Sequence, residues 1–169
     1  MSRRSLLLGL AAAPLASLAA TEPLAGLKQW GSGEFRRHGF LVYEATLWAG
    51  ENPLHPPLAL KLTYRRSISG AAIAAASVKE MRQLGVVDEA TLGRWERLMV
   101  GLFPDVRAGD FILGEYQPGA ARFYFNGRWL GSVAEPGFAA AFFGIWLDVR
   151  TSAPELREAL LRRSPGGAS

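Results

Sequence analysis

The chain has 169 residues, 49% of them hydrophobic and 11% aromatic, and it carries a formal charge of +4. This length and composition predict one globular domain with a sizeable core and exclude a disordered chain. Because the chain has no cysteine, disulfides and thiolate metal sites are excluded.

The first 20 residues predict a signal peptide. They combine a charged start at Arg3 and Arg4 with an apolar run from Leu6 to Leu15 and small residues just after it, which suit a cleavage site. The apolar run is shorter than the ~20 residues that span a bilayer, and no later run is long enough, so we expect no transmembrane segment. The paired arginines fit a twin-arginine signal as well as an ordinary charged n-region, and both alternatives stay open.

Removal of the predicted signal peptide would leave one domain and a short tail. We expect a single domain over residues 21–164 and a disordered tail over residues 165–169, which are rich in proline and glycine. Cleavage removes two of the arginines, and no basic run with interleaved aromatic residues remains. The sequence therefore predicts a periplasmic protein without a nucleic-acid partner, and it contains no indication of the oligomeric state.

Residues 27–48 predict the first strands of the domain. Alternation with period two places a set of apolar or small residues on one side, namely Leu41, Tyr43, Ala45 and Leu47. Gly31 and Gly33 indicate a bend or bulge at the start. If the alternation runs on from Arg36, four residues share the opposite face, namely Arg36, His38, Glu44 and Thr46. That face is either the polar lining of a pocket or an outward face with an exposed arginine.

A proline-rich loop follows, since Pro53, Pro56 and Pro57 cannot lie in a strand ladder or a helix interior. Residues 58–64 then predict a strand whose leucines share one face. The two histidines of the chain, one of them His55 in this loop, have no acidic cluster nearby. We therefore predict no metal site.

Two helices are predicted between this strand and the next. Residues 69–84 have helical spacing and a good intrinsic propensity from their alanines, and Gly85 stands where a helix C′ glycine belongs. Asp88 is typical of the N-cap of a second helix. The apolar face of that helix repeats at helical spacing, with Leu92, Trp95, Met99 and Leu102.

Residues 109–148 contain the strongest local signals. Asn126-Gly127 favours a type I′ hairpin turn, because both central residues must take a positive φ. A two-residue turn predicts three cross-strand pairs, which are Phe125 with Arg128, Tyr124 with Trp129, and Phe123 with Leu130.

Pro136 suits the first turn of the helix that follows, which is apolar all round and therefore predicted to be buried.

The last helix is predicted to begin at a capping box. Ser152 is placed at the N-cap and Glu155 three residues later, and Pro154 is tolerated in the first turn. Glu158 and Arg162 have the i, i+4 spacing of an exposed ion pair.

Common catalytic and cofactor motifs are absent from the sequence. It has no G-x-S-x-G elbow, no Walker loop, no dinucleotide fingerprint and no H-E-x-x-H. Carboxylates are scattered, and most of them are typical of solvated edges. We therefore predict no cofactor.

The order of the elements, with the segments FPDVRAGD, FYFNGRWLG and FAAAFFGIWLDVRTSAPELREALL, resembles the chalcone isomerase-like family, especially its exported bacterial members. The resemblance covers nearly all of the chain after the signal peptide. Its most specific part is the apolar helix followed by a proline and L-R-x-x-L. The resemblance implies an α+β open-faced sandwich, in which a large antiparallel sheet carries a layer of helices on one face above a ligand cleft.

The same resemblance implies candidate site residues. Chalcone isomerases cyclise a chalcone to a flavanone with an early-strand arginine that stabilises developing negative charge on oxygen. That arginine matches Arg36 here, or Arg37 if a bulge shifts the register. The family's tyrosine, lysine and asparagine on the first helix fall on Ile73, Ala76 and Glu80.

The polar group that the family carries on the penultimate helix falls near Ile145, so the helix side of the site is mostly apolar.

Related non-catalytic members bind fatty acids, with the arginine pairing the carboxylate. The resemblance thus favours a non-catalytic protein that binds a small apolar or fatty-acid-like anion beside Arg36. An intramolecular isomerase is the alternative, and it needs further polar groups such as Tyr43, Thr46 and Tyr64. A third alternative is a structural or interaction protein of the envelope with a filled core and no ligand.

Overall fold

A computed structural model of the chain describes residues 24–85 and 87–163. The predicted signal peptide, residues 1–20, and the predicted tail, residues 165–169, lie outside these ranges. The described part forms six strands and four helices. In chain order they are β1 (Lys28–Arg37), β2 (Phe40–Ala49), β3 (Leu58–Tyr64), α1 (Gly70–Leu84), α2 (Glu89–Leu102), β4 (Phe111–Gln117), β5 (Ala120–Phe125), β6 (Arg128–Val133), α3 (Phe138–Leu147) and α4 (Pro154–Leu161).

The strands form one antiparallel sheet in the order β1-β2-β3-β4-β5-β6. All five neighbouring pairs are antiparallel, and α1 and α2 are inserted in the connection between β3 and β4. The inner face of β3 carries buried Leu58, Leu60 and Leu62, as their alternation predicts. The predicted α+β open-faced sandwich is confirmed.

The helices cover the inner face, and aromatic rings fill the space between. Eight of the ten residues of α3 are buried, as its all-apolar sequence predicts. Phe142 of α3 lies at the centre of a ring cluster, 5.1 Å from Phe123 of β5 and 6.0 Å from Phe103 at the end of α2. The same ring lies 5.4 Å from Trp146. The contacts with Phe123 and Trp146 are edge-on, and such ring contacts add to the free energy gained by apolar burial.

The predicted C′ glycine of α1 and the predicted N-cap of α2 are confirmed. Ser69 caps α1 by accepting a hydrogen bond from the Ala72 amide, and Gly85 ends it with φ +67°. Asp88 caps α2 by accepting from the Thr91 amide.

The starts of α3 and α4 differ from the prediction. α3 begins after Gly137, whose φ is +81°, so Pro136 precedes the helix and does not lie in its first turn. The N-cap of α4 is Ala153 and makes no side-chain cap bond. The Ser152 hydroxyl accepts no hydrogen bond from an amide of the helix start and donates its proton to the Glu80 carboxylate of α1, a charged acceptor.

Two of the three two-residue hairpin turns in the described sheet contain residues that the sequence singles out. Asn126 and Gly127 have φ of +48° and +82°, which confirms the predicted turn. The third predicted pair is wrong, because a bulge places Gly131 opposite Phe123. His38 and Gly39 form the equivalent turn between β1 and β2, with φ of +51° and +81°. His38 therefore does not continue the face of Arg36.

Candidate functional site

A cavity of about 200 Å³ lies between the inner face of the sheet and the helices, at the end where β1 and β2 meet their turn. Strands β1 to β4, helices α1 and α3, and the segment before α4 contribute to its wall. The lining is mostly apolar. It comprises Phe35, Arg37, Val42, Tyr43, Leu62, Tyr64, Ile68, Ile73, Ala76, Ser77, Glu80, Phe103, Ile112, Phe142, Ile145, Trp146, Ser152 and Ala153.

Aromatic side chains form the sheet side of the cavity. The Phe35 ring of β1 stacks on the Tyr43 ring of β2 at 5.0 Å between centroids. Tyr64 of β3 meets Tyr43 edge-on at 6.0 Å, as expected for cross-strand partners. The Trp146 indole N–H of α3 donates to the Tyr43 hydroxyl oxygen at 2.9 Å, which joins the sheet to the helical layer. Each ring of this wall therefore contacts a side chain of another element.

The two tyrosines stay protonated over the ordinary pH range. Burial raises the pKa of Tyr43, the nearby Glu80 carboxylate acts in the same direction, and the Trp146 hydrogen bond opposes both. Burial also raises the pKa of Tyr64, to which Tyr43 adds. Neither hydroxyl donates to another group within the described ranges. Both O–H groups are therefore free to donate to a molecule in the cavity.

One carboxylate lies on the helix side. Glu80 of α1 is half-buried and accepts a hydrogen bond of 2.5 Å from the Ser152 hydroxyl. Ser77, one turn earlier, donates its hydroxyl proton to the Ile73 carbonyl within the helix and offers no donor to the cavity. The polar groups of the helix side are thus few and already paired.

The arginine at the cavity is Arg37. Residues alternate along β1, so Phe35 and Arg37 face the cavity while Arg36 faces outward. Arg36 is 52% exposed and forms an ion pair of 2.8 Å with Glu34. A β-bulge lies between the Phe35–Tyr43 and Arg36–Leu41 pairs, and its extra residue is Val42 of β2. Because the extra residue is in β2, the alternation along β1 is undisturbed and Arg36 stays on the outer face. Arg37 has no ion-pair partner within residues 24–85 and 87–163.

The structure brings together six of the eight candidates from the sequence. Tyr43, Tyr64, Ile73, Ala76, Glu80 and Ile145 all line the cavity. Arg36 and Thr46 do not, which corrects the prediction for both. Thr46 pairs with Lys61 across the sheet and lies on the outer face. Side chains alternate along a strand, and Thr46 is three residues after Tyr43, so the two point to opposite faces.

Trp146, Ser152 and most of the apolar lining are not predicted as site residues from the sequence. No local signal marks Trp146, since α3 is apolar all round and has no polar face to orient it. Ser152 was assigned to a cap because its spacing from Glu155 fits one. Their roles depend on which helix packs beside them.

Within the described ranges, no three His, Cys, Asp or Glu side chains come together in a way that could hold a metal ion. The helices of that same part are too short or too polar to cross a bilayer.

Fold and site together define an α+β protein with a mostly apolar, ligand-sized cleft between an open antiparallel sheet and its helices. The family model described as "Chalcone isomerase-like" matches residues 43–162, and the chain belongs to that family. Among solved structures, the chain is similar to a fatty-acid binding protein of Arabidopsis thaliana, with a TM-score of 0.61 and 14% identity over 80% of this chain and 87% of that one. Comparison with curated proteins gives no match.

Proposed function

We propose that the protein binds a small apolar carboxylic acid in the cavity without transforming it. The observation that carries the proposal is the cavity itself, which is apolar on most sides and has a single cation, Arg37, among its lining residues. The carboxylate of the ligand pairs with Arg37, and the free hydroxyls of Tyr43 and Tyr64 are available as further donors. The structural similarity to a fatty-acid binding protein supports the same chemistry.

The size of the cavity limits the ligand. A volume of about 200 Å³ lies below the roughly 300–1,000 Å³ of pockets that hold drug-sized molecules. Since one water molecule takes about 30 Å³ in the liquid, the cavity holds about seven groups of that size. About seven carbons of an acyl chain therefore fit inside while the carboxylate lies at the opening beside the exposed Arg37, so octanoate is a suitable probe.

The first prediction uses two neighbouring arginines as a matched pair. We expect Arg37→Gln to weaken octanoate binding about tenfold, because it removes a charge-assisted contact worth about 1.4 kcal/mol. Arg36→Gln removes the same charge one residue earlier but on the outer face, so octanoate affinity should stay within about twofold. Titration calorimetry measures both affinities.

Octan-1-ol, which has the same chain without the charge, is the matched ligand control. Its affinity should be unchanged by Arg37→Gln. If octanoate does not bind, or if Arg36→Gln weakens it as much as Arg37→Gln does, the proposal is refuted. Failure to bind octanoate or octan-1-ol would favour a structural protein of the envelope with no ligand.

A second candidate function is an intramolecular isomerase of the chalcone-to-flavanone type. The observation in its favour is that Arg37, Tyr43 and Tyr64 converge on one cleft with their protons available. Such donors could stabilise an enolate or phenolate oxygen in the transition state. Loss of the visible absorbance of an added chalcone tests this candidate, and a rate equal to that in buffer excludes it.

We also propose that residues 1–20 are a signal peptide of an exported bacterial protein and that the domain functions in the periplasm. The charged start, apolar run and small residues of the sequence support export. N-terminal sequencing of the protein from cell fractions tests it. An uncleaved chain in the cytoplasmic fraction would contradict it.

A further inference from the structure

An exposed, cationic surface surrounds the β1–β2 turn beside the cavity. We call it the basic tip and define it by Arg36, Arg37, Phe40, Arg65 and Arg66, all of which are exposed. Phe40 is 63% exposed, which is unusual for a phenylalanine on a strand. The Arg66 guanidinium lies over this ring, 5.1 Å from its centroid, so the most exposed aromatic ring of the tip is held beside a cation.

Two of the four arginines are neutralised within the molecule, and two are not. Arg36 pairs with Glu34, and Arg65 pairs with Glu44. Arg37 and Arg66 have no carboxylate partner within residues 24–85 and 87–163. The tip therefore combines two uncompensated positive charges with an exposed ring.

The basic tip is continuous with the cavity. Arg37 belongs to both, and it pairs across the turn with Phe40, so the two side chains lie on the same face of the sheet. Three lining residues, Arg37, Ala76 and Ser152, are exposed, whereas the rings behind them are half-buried or buried. The cavity thus opens to solvent between β1, α1 and the segment before α4, and Arg37, the partner of the exposed Phe40, lies on the rim of this opening.

We propose that the basic tip docks on an anionic lipid bilayer. Aromatic rings lie favourably at the bilayer interface, and cations within a Debye length of it are attracted to anionic headgroups. A lipid surface can deform around one protruding ring, whereas a stable protein partner needs an interface of about 1,000 Å² or more with complementary shape. A two-residue turn with one exposed ring fits the lipid surface better. Docking brings the opening of the cavity to the place where apolar acids dissolve.

Vesicle sedimentation tests the docking without any added acid. We expect the purified protein to sediment with vesicles of phosphatidylcholine and phosphatidylglycerol but not with phosphatidylcholine alone, and added salt should release it. Phe40→Ala should weaken binding about tenfold through lost burial of the ring. Arg66→Gln should weaken it about fivefold through one lost cation.

The β5–β6 hairpin offers matched control variants. It also has an exposed arginine and an exposed aromatic ring, Arg128 and Trp129, with 54% of Trp129 exposed. Arg128→Gln and Trp129→Ala should leave vesicle binding unchanged. Equal loss in the control variants, equal sedimentation with neutral vesicles, or no sedimentation would each overturn the proposal, and the last outcome would leave an acidic protein as the partner to seek.

The docking and the proposed function fail separately. Phe40 and Arg66 do not line the cavity, so their variants should bind octanoate in solution with wild-type affinity. A protein that docks on vesicles but does not bind octanoate would refute the proposed ligand alone. A protein that binds octanoate but ignores anionic vesicles would refute the docking alone.

Discussion

Arginine side chains tie the ends of the helices together. Arg150 donates to the Leu84 carbonyl at the end of α1, at 2.8 Å, and also binds Asp148 through two of its nitrogens. Arg157 of α4 donates to the Leu147 carbonyl at the end of α3, at 2.7 Å. The last carbonyls of a helix have no partner within the helix, so these guanidinium groups satisfy acceptors that would otherwise stay unpaired.

Asp148 gives a pH-dependent prediction at this junction. The Arg150 hydrogen bonds lower the pKa of Asp148 from 3.8 to about 2. Since the folded-state pKa is lowered, the stabilisation is fully present above pH 3.8 and is lost as the pH falls through about 2. We expect Asp148→Asn to lower the free energy of unfolding by about 1 kcal/mol at neutral pH, a value that already allows for solvent screening.

Thermal unfolding of wild type and Asp148→Asn measures this effect. At neutral pH the variant should melt about 3 °C lower, and the two curves should converge in acid. Glu158→Gln is the control, because the Glu158–Arg162 pair is 73% exposed on both sides and should contribute little. A difference that persists unchanged at the lowest pH would contradict the assignment to the Asp148 charge.

At the scale of elements, α4 closes the β1 side of the sheet by approaching its backbone. A Cβ added at Gly31 of β1 would lie 2.2 Å from the Ala159 carbonyl oxygen and 2.6 Å from that of Leu160. At Gly33 it would lie 2.9 Å from the Ala159 side chain. Only a residue without a side chain permits this helix to rest directly on the strand.

Gly31→Ala is therefore expected to be strongly destabilising. The clash is with backbone atoms that cannot move aside, so we expect a loss of about 3 kcal/mol in the free energy of unfolding. Gly101→Ala is the matched control, because a Cβ there meets nothing within 4 Å and the helix α2 favours alanine. Urea unfolding measures both, and a Gly31→Ala protein as stable as wild type would show that α4 does not pack this closely in solution.

At the scale of the whole molecule, the outer face of the sheet, which the helices do not cover, carries charged side chains that are packed against aromatic rings or buried. Lys61 lies between the rings of Trp48 and Phe111, 5.5 and 5.4 Å from their centroids. Glu115 of β4 is buried on this face, and burial raises its pKa although the Tyr124 hydroxyl donates to it at 3.2 Å. Glu115 is thus an exception to the expectation that most carboxylates lie at solvated edges.

The sequence by itself determined the elements and several of their local ends, although not the starts of α3 and α4. Asn126-Gly127, Gly85 and Asp88 are set by backbone conformation and capping within a few residues, and each signal could be interpreted without knowing the rest of the fold. The alternation of β3 and the continuous apolar run of α3 likewise predicted which faces are buried. The family resemblance then supplied the arrangement of these elements into a sandwich.

Only the tertiary structure decided which side chains meet at the cavity. The choice between Arg36 and Arg37 depends on which strand contains the extra residue, and that residue, Val42, is identified only by pairing across β1 and β2. The Ser152 hydroxyl could accept from an amide at the start of its own helix or donate to Glu80. It donates to Glu80, because α1 lies within hydrogen-bond distance. Contacts between residues far apart in the chain are set by packing, whose geometry no short stretch of sequence contains.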